Sequence, residues 1–398
     1  MGNSFLEVSR LAEAQVQATA LQPTASPSLK DLSTYFLRVG TMSFGGTVVI
    51  AERIRKDLVE QRRWISHEEY MHGFAFAQLA PGPLVPQLVM YLGFLRYGIV
   101  GATLAAFSFV GPSFLIVVLL ANAYVRSNGL MWIQALFYGI SAAVVAIIAQ
   151  AAYKLSRAAI GKDWFYAAIL VILAALTALT HQQVIWMFLG GGLISVLIKA
   201  PPRFGTIRSM FSIAALPALG VGSGKSIELL LFFVKAGLFV FGSGFAIVPL
   251  LHSGVVQQHR WVSESQFIDA VAIGMITPGP MVVIAAFIGF LVDGFTGAVA
   301  GTVGVFLPIY LFVIIFAPHY KAITGNLQVR AFLKGVTAAA AGAIVGTVYV
   351  LGIRSIHDIP TALIAAATMA TLLLYKKLPQ PVLIAASGIA GLLLYRYH

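Results

Sequence analysis

Two Pro-Gly-Pro triplets interrupt long apolar runs and decide the fold. The first is LAPGPL at residues 79–84 and the second is ITPGPM at residues 276–281, so the triplets are 197 positions apart. Two prolines around one glycine remove two amide donors and disfavour the helical conformation of the residue before the second proline. The runs that hold the triplets, about 71–95 and 267–292, are therefore predicted to be helices broken at their middle.

The triplets belong to an internal repeat that covers most of the chain. At an offset of 197 positions, the Phe-Gly pair at 44–45 falls on the pair at 241–242, and the Arg-Trp pair at 63–64 falls on that at 260–261. After a one-residue deletion, an offset of 196 aligns later glycines and a proline. Rare residues in the same order indicate a duplication, and paired repeats with a site between them are typical of secondary transporters.

The composition is that of a membrane protein. Of 398 residues, 59% are apolar and 10% are charged, whereas a soluble domain has about 25% charged residues. The formal net charge is +12, but Lys and Arg lie mostly between apolar runs, where they set topology. We therefore expect a lipid environment and no nucleic-acid partner. The absence of cysteine excludes thiol catalysis and disulfides.

The sequence predicts an all-α integral membrane fold made of two homologous repeats. The predicted parts are a polar N-terminal tail at 1–32, a first membrane repeat at 33–199, a basic linker at 200–227 and a second membrane repeat at 228–398. Each repeat is predicted to have two interrupted or re-entrant helical hairpins followed by about four transmembrane helices. In the first repeat the predicted spans are 98–121, 129–153, 163–180 and 182–198.

Charge favours re-entrant hairpins over simple spans in the first repeat. If the runs at 35–51 and 71–95 each crossed the bilayer once, the basic segment between them would lie opposite the basic loop near Lys154, against the positive-inside rule. Hairpins with turns at Gly45-Gly46 and at the triplet put both basic segments in the cytoplasm. Charge alone leaves the second repeat unoriented, but a crossing by 207–222 would invert it.

The predicted binding groups are neutral amides and two intramembrane cations. Glycine turns and the starts of broken half-helices expose unpaired amides and the positive end of the helix dipole, which favour an anion. A basic group inside an apolar run costs about 2.5 to 3.5 kcal/mol, so it usually has a function; snorkelling to the interface is the alternative for both cations. The candidate substrate-binding residues are Arg38, Gly45, Gly46, Gln78, Pro81, Gly82, Pro83, Gln87, Lys235, Gly242, Ser243, Gly244, Thr277, Pro278, Gly279 and Pro280.

Enzymatic chemistry is not predicted. The sequence has no intramembrane cluster of His, Asp and Glu, so we expect no catalytic residue, no metal site and no cofactor. His67 and His72 are five residues apart and would not share a helix face, as zinc ligands on a helix must. A membrane-embedded enzyme, an anion channel and a structural scaffold remain as the rival classes.

The combined pattern resembles the long-chain type of the chromate transporter family. The resemblance rests on the two glycine turns, the Arg-Trp pairs, both triplets and the glycines and prolines that follow them, from about residue 33 to the C-terminus. It implies export of chromate from the cytoplasm, chromate resistance, location in a bacterial-type inner membrane and two repeats of opposite orientation. Sulfate is the chemical look-alike, since both ions are tetrahedral dianions. Whether the protein forms a homodimer is left open.

Overall fold

The computed structural model describes nine ranges of the chain: 27–44, 47–127, 131–161, 163–180, 185–201, 224–240, 244–319, 325–375 and 378–395. For Val48 and Ile185, which lie within these ranges, the backbone is described but the side chain is not. Most of the predicted tail and linker, including 207–222, lies outside these ranges. All regular elements in the described ranges are helical, as the sequence predicts.

The first repeat contains seven α-helices among the described residues. They are α1 (Leu29–Met42), α2 (Thr47–Arg55, continued by a π-helical turn Lys56–Gln61), α3 (His67–Leu79), α4 (Leu84–Ser127), α5 (Met131–Ile160), α6 (Trp164–Thr180) and α7 (Ile185–Lys199).

The second repeat has the same order of elements in its described part. They are α8 (Lys225–Leu238), a 3₁₀ turn (Gly244–Ala246), α9 (Ile247–Leu251, continued by a π-helical turn His252–Gln258), α10 (Glu264–Ile276), a 3₁₀ turn (Met281–Val283), α11 (Ile284–Phe316, continued by a 3₁₀ turn Ala317–His319), α12 (Leu327–Ser355), α13 (Ile359–Leu374) and α14 (Gln380–Leu394).

The paired capping of α3 and α10 shows how closely the repeats agree. Ser66 Oγ accepts from the Glu69 amide and Ser263 Oγ accepts from the Gln266 amide. In return, the Ser66 amide donates to the Glu69 side chain and the Ser263 amide donates to the Gln266 side chain. Such capping boxes satisfy donors that a helix start leaves free. Both helices therefore begin at the same point of the repeat.

The first interrupted run of each repeat folds back on itself. In the first repeat, the hydroxyl of Tyr35 on α1 donates to Asp57 Oδ2 beyond α2, at 3.2 Å. In the second, the ring of Phe232 on α8 lies 5.4 Å from that of Trp261, beyond α9. A residue near the start of the first arm thus contacts one near the end of the second, so the predicted hairpins are confirmed.

The second interrupted run is also a hairpin, and a second sharp turn follows it. Glu69 at the start of α3 pairs with Arg96, so the chain returns after the triplet. It then reverses at Tyr97-Gly98, where Gly98 has φ 57°, and the second repeat reverses at Gly294, with φ 59°. The residues 84–96 and 99–127 of α4 are therefore two antiparallel arms.

The two repeats are inverted relative to each other. Thr103 Oγ1 lies 2.7 Å from the hydroxyl of Tyr310, while the Phe114 ring lies 6.2 Å from the Phe295 ring. Later residues of α4 thus contact earlier residues of α11, so these equivalent helices run antiparallel. This confirms the predicted inversion. The face where α1 begins is called the first face, and the opposite face, where α8 begins, the second face.

Four helical segments are long and apolar enough to cross a membrane: Leu84–Ser127, Met131–Ile160, Met281–His319 and Leu327–Ser355. In the first and third of these, the longer arm is the one that follows the reversal at Gly98 or Gly294. The other predicted spans correspond to shorter apolar helices of 15 to 17 residues, α6, α7, α13 and α14. The short helices α6 and α7 of the first repeat pack against α12 of the second, and α13 and α14 of the second repeat pack against α5 of the first. The protein is therefore a multi-pass membrane protein.

Candidate functional site

The interruptions of the two repeats meet at one place. The Gly279 amide of the second triplet donates to the Ser43 carbonyl at 3.0 Å, and the Gly82 amide of the first triplet donates to the Val240 carbonyl. Ser43 and Val240 lie 197 positions apart, as do the two glycines. Each triplet is therefore bonded to the broken first hairpin of the opposite repeat. We call this meeting point the crossing; it consists of residues 43–44, 80–85, 87, 113, 240 and 277–282.

Glycine is required at the centre of each triplet. Gly82 has φ 124° and Gly279 has φ 104°, conformations that residues with a Cβ rarely adopt. A Cβ on Gly82 would lie 2.5 Å from Gln87 Nε2, and a Cβ on Gly279 would overlap Ser113 Oγ. The triplets therefore combine an unusual backbone with a close approach by the opposite repeat or by a neighbouring arm.

Four carbonyl groups of the crossing are paired. Besides Ser43 and Val240, the Pro81 carbonyl accepts from Gln87 Nε2, and the Pro278 carbonyl accepts from Ser113 Oγ at 2.7 Å. Carbonyl oxygens at the C-terminal end of a helix carry partial negative charge. These four hydrogen bonds reduce the negative potential that the ends of the first arms would otherwise give to the crossing.

The amides that follow the triplets differ from these carbonyls. No described residue accepts a hydrogen bond from the amides of Leu84, Val85, Met281 or Val282. They form the first turns of the second arms, which begin at the crossing and run outward, so the positive ends of these arms point at the crossing. With four carbonyls paired and these amides lacking an acceptor among the described residues, the crossing is suited to a negatively charged ligand.

Two polar side chains at the crossing also lack partners among the described residues. Ser43 is 3% exposed and Gln87 is fully buried, and neither Ser43 Oγ nor Gln87 Oε1 makes a hydrogen bond. A buried polar atom without a partner costs about 1–3 kcal/mol. The Ser43 hydroxyl is free to donate to an anion, while Gln87 presents an acceptor, which suits a water molecule or a protonated ligand.

The predicted site residues fall into three groups: those at or beside the crossing, those that are exposed, and those outside the described residues. The triplets, Gln87 and Thr277 lie at the crossing, although Thr277 Oγ1 bonds the carbonyl of Ile273 on its own helix. Gly244 is buried in the 3₁₀ turn beside it, and Gln78 is exposed at the end of α3. Gly45, Gly46, Gly242 and Ser243 lie outside the described residues.

Arg38 and Lys235 are exposed and do not line the crossing. Each lies five residues before its repeat's break, at Ser43 or Val240, which is about 7.5 Å along a helix. Because the repeats are inverted, Arg38 lies between the crossing and the first face, and Lys235 lies between the crossing and the second face.

A cavity of about 280 Å³ opens beside α1 towards the first face. Arg62 on its wall lies 5.4 Å from the ring centre of Tyr35 and 4.6 Å from that of Trp64. These cation–π contacts hold the guanidinium in place. The lining residues are Lys30, Asp31, Thr34, Tyr35, Arg38 and Arg62. Arg38 is the lining residue that is closest in sequence to the crossing, and the cavity is lined by three basic side chains and one acidic one.

Sequence reasoning missed Ser43 and Ser113. Ser43 precedes the Phe-Gly pair but its counterpart is Val240, and Ser113 follows an aligned proline but its counterpart is Ile309. The candidate residues were found mainly because they recur in both repeats. A residue that differs between the repeats could not be found in that way. The described residues hold no group of three or more His, Asp or Glu side chains that could bind a metal.

These features define a class: a membrane protein of two inverted repeats whose broken helices meet at an anion-suited point between them. Comparison with known proteins identifies the family. The family model described as "Chromate transporter" matches residues 30–196 and 227–392, one match for each repeat. The chain belongs to the chromate transporter family.

Three relatives extend over nearly the whole chain. The chromate transport protein of Cupriavidus metallidurans is 49% identical over 92% of this chain and 94% of its own length. The probable chromate transport protein of Synechococcus elongatus is 45% identical over 92% and 96%. The chromate transport protein of Pseudomonas aeruginosa is 31% identical over 92% and 93%. No solved structure matches the chain. The family consists of transport proteins, and the chain is therefore a transporter and not an enzyme.

Proposed function

We propose that the protein is a secondary transporter that exports chromate from the cytoplasm, binding it at the crossing. The observation that carries this proposal is the imbalance of hydrogen bonding there: four carbonyls are paired, whereas the amides of Leu84, Val85, Met281 and Val282 have no acceptor among the described residues. Oriented amides and helix starts are a general means of binding oxyanions.

Neutral donors suit a transported dianion. A site must bind its ion well enough to admit it and weakly enough to release it. Amides and the Ser43 hydroxyl supply partial charges, while the full charges of Arg38 and Lys235 lie further out, on opposite sides. Each cation would attract the dianion into its own approach. Sulfate has the same charge and shape as chromate, so competition by sulfate is expected.

The membrane potential alone gives export a driving force. Moving one elementary charge across 100 mV is worth about 2.3 kcal/mol, so an inside-negative potential of that size favours outward movement of a dianion by about 4.6 kcal/mol. The proposed exporter therefore needs neither ATP nor an enzymatic step.

The distribution of charge orients the proposed exporter. Lys and Arg are concentrated at the first face, which is therefore proposed to be cytoplasmic. Those of the described residues at the first face are Lys30, Arg53, Arg55, Lys56, Arg62, Arg63, Arg96, Lys154, Arg157, Lys199, Arg330 and Lys334, and those at the second face are Arg126, Lys225, Arg260 and Arg354. The bias comes from the first repeat, because in the second repeat Arg330 and Lys334 lie at the first face, whereas Lys225, Arg260 and Arg354 lie at the second face. A bacterial inner membrane is the proposed location.

Alternating access would involve the contacts between repeats. The bonds from Gly82 to Val240 and from Gly279 to Ser43 join each triplet to the other repeat. We infer that one repeat rocks against the other, that these hydrogen bonds break and re-form as it does so, and that the crossing thereby opens to one face at a time.

The direct test is chromate transport by purified protein in liposomes. An imposed inside-negative potential should drive labelled chromate out of vesicles, and excess sulfate should reduce the rate. Ser43→Ala should lower the affinity for chromate about tenfold, the effect of losing one hydrogen bond to a charged group. Thr371→Ala is the control, because the Thr371 hydroxyl donates to the carbonyl of Ala367 on its own helix and lies outside the crossing and both cavities. Unchanged affinity in Ser43→Ala would contradict the proposed site.

Two further measurements separate the remaining alternatives. Equal activity after combined Arg38→Gln and Lys235→Gln would remove these cations from the mechanism. Single-channel currents in planar bilayers would indicate a channel, whereas the proposed transporter should saturate at low turnover. Light scattering of the purified protein should test the homodimer, which stays a prediction.

A further inference from the structure

Asp269 on α10 is an acid buried away from the aqueous surface. It is 6% exposed and is the one acidic side chain among the buried residues of the described chain. Removing an ionised carboxylate from water is costly unless a cation or several donors compensate. Because a membrane protein rarely retains such a group without a function, Asp269 is a candidate functional residue.

Its partner is a neutral hydroxyl. The hydroxyl of Tyr124, at the end of α4, donates to Asp269 Oδ2 at 2.7 Å. The Tyr124 ring packs edge-on against Phe137 of α5 and Phe287 of α11. No Lys, Arg or His in the described ranges forms an ion pair with Asp269. Among the described residues the carboxyl group is therefore held by one donor, and the ring of that donor is fixed by two other aromatic rings.

Other charged groups of the described chain near α10 do not contact Asp269. They form a separate network with Glu264 at the second face. His252 Nε2 lies 2.6 Å from Glu264 Oε1, and Arg354 on α12 bonds the other oxygen of Glu264. From α4 and α5 the facing titratable groups are Tyr124 and Tyr138, and α14 contains no titratable residue. This network satisfies Glu264 and leaves Asp269 to Tyr124.

A cavity opens at the second face near the start of α10. It has a volume of about 430 Å³ and is lined by Glu264, Arg354, His357 and Ile268 among others. Ile268 precedes Asp269 in the chain. Towards the other end, α10 reaches the crossing at Thr277, eight residues beyond Asp269, or about 12 Å along the helix. Asp269 therefore lies between this cavity and the crossing.

We propose that Asp269 is a proton-binding site that controls oxyanion passage between the crossing and the second face. The proposal rests on the proposed transport of an oxyanion. A negative charge on Asp269 would repel a departing dianion in a low-dielectric region, where Coulomb interactions are strong. A proton from the second-face cavity removes that charge. The equivalent residue of the first repeat is His72, which lies beside Glu68, so the device belongs to one repeat.

The first experiment measures chromate transport in liposomes while the pH at the second face is varied from about 5 to 8. The wild-type rate should fall up to about tenfold per pH unit above its midpoint, as one-proton control requires. Asp269→Asn should give a rate that varies less than about twofold over that range, and Asp269→Glu should restore the dependence. Asp293→Asn is the control, because Asp293 bonds Ser226 outside the crossing. A pH profile unchanged in Asp269→Asn overturns the proposal.

The second experiment does not need transport. Infrared difference spectra of purified protein, titrated over the same pH range, should show one protonated carboxyl band that is absent in Asp269→Asn and displaced in Tyr124→Phe. Absence of the band from the wild type contradicts proton binding at Asp269. If the band is present but no chromate moves, the proposed function fails while the proton site stands.

Discussion

The two repeats share a backbone but differ in the side chains they bring to the crossing. Both have the triplet, the positive φ at its glycine, the capping box and the reversal at Gly98 or Gly294. The first repeat supplies Ser43 and Ser113, whereas the second supplies Val240 and Ile309 at those positions. Backbone geometry is therefore duplicated, and side-chain polarity is not.

This difference teaches that the repeat builds the site and that its divergence gives the site direction. An anion bound by free amides would meet similar helix starts from both repeats. It would meet hydroxyl groups mainly around the second triplet, where Ser43 and Ser113 lie against Gly279 and Pro278. The proposed proton site at Asp269 is a further asymmetry on the second-face side.

The largest effects should come from the two triplet glycines. Gly82→Ala and Gly279→Ala should each prevent folding or abolish transport, because the added Cβ meets atoms of the crossing at a positive φ. The left-handed strain alone is about 1–2 kcal/mol, before any overlap. Gly111→Ala is the control, since nothing lies within 4 Å of its Cβ. The yield from size-exclusion chromatography measures folding, and the liposome assay measures chromate transport. Full activity in either triplet variant would show that the crossing is looser than described.

An ion pair without a counterpart gives the next effect. Arg96 bonds Glu69 at 2.7 Å and also donates to the Trp64 carbonyl, whereas Gln266 and Val292 stand at the equivalent positions. The pair is partly exposed, so we expect Arg96→Leu to lower the free energy of unfolding by about 1–3 kcal/mol. Thermal unfolding in detergent tests this. A loss below about 0.5 kcal/mol would mean that the pair acts as an ordinary surface contact.

Two aspartates cap equivalent helices in different ways. Burial opposes ionisation of Asp358, but hydrogen bonds from Thr361 and Tyr138 outweigh it and lower its pKa to about 2. Replacing this N-cap with Ala should cost about 1 kcal/mol at neutral pH. Because its pKa is lowered on folding, the ionised form's contribution is complete above the unfolded pKa of about 3.9 and is lost as pH falls towards 2.

Asp163 is the comparison for this effect. The pKa of Asp163 is lowered mainly by its hydrogen bond to Lys199, an exposed pair that salt should screen. Unfolding midpoints of Asp163→Asn and Asp358→Ala at low and high salt should therefore differ, with only the first variant approaching wild type at high salt. Equal salt dependence would contradict the assignment of these partners.

The smallest effect should be a gain in stability. Arg63 and Arg260 both have φ 51° at the turn after a π-helical segment, a conformation that costs a residue with a Cβ about 1 kcal/mol. Arg63→Gly and Arg260→Gly should therefore each raise the free energy of unfolding by up to about 1 kcal/mol. A fall in either variant would show that the arginine side chain makes a stabilising contact.

Much of the fold followed from the sequence because it depends on backbone chemistry. Pro, Gly and capping residues restrict local conformation, so the triplets, the hairpins and the duplication could be predicted. The orientation of the second repeat could not be predicted from charge alone, because it depends on packing such as that of Thr103 on Tyr310. Ser43, Ser113 and Asp269 were not predicted as site residues, because only tertiary contacts bring them to the crossing or bury them.

The crossing as the binding point is tested most directly by locating chromate in the protein. Anomalous diffraction at the chromium absorption edge, from crystals grown with chromate, should give one peak about 4 Å from the amides that follow the two triplets, the distance of a hydrogen-bonded oxyanion centre. That peak should weaken in Ser43→Ala crystals. A peak confined to the basic cavity beside Arg38 and Arg62, with none at the crossing, would contradict the account.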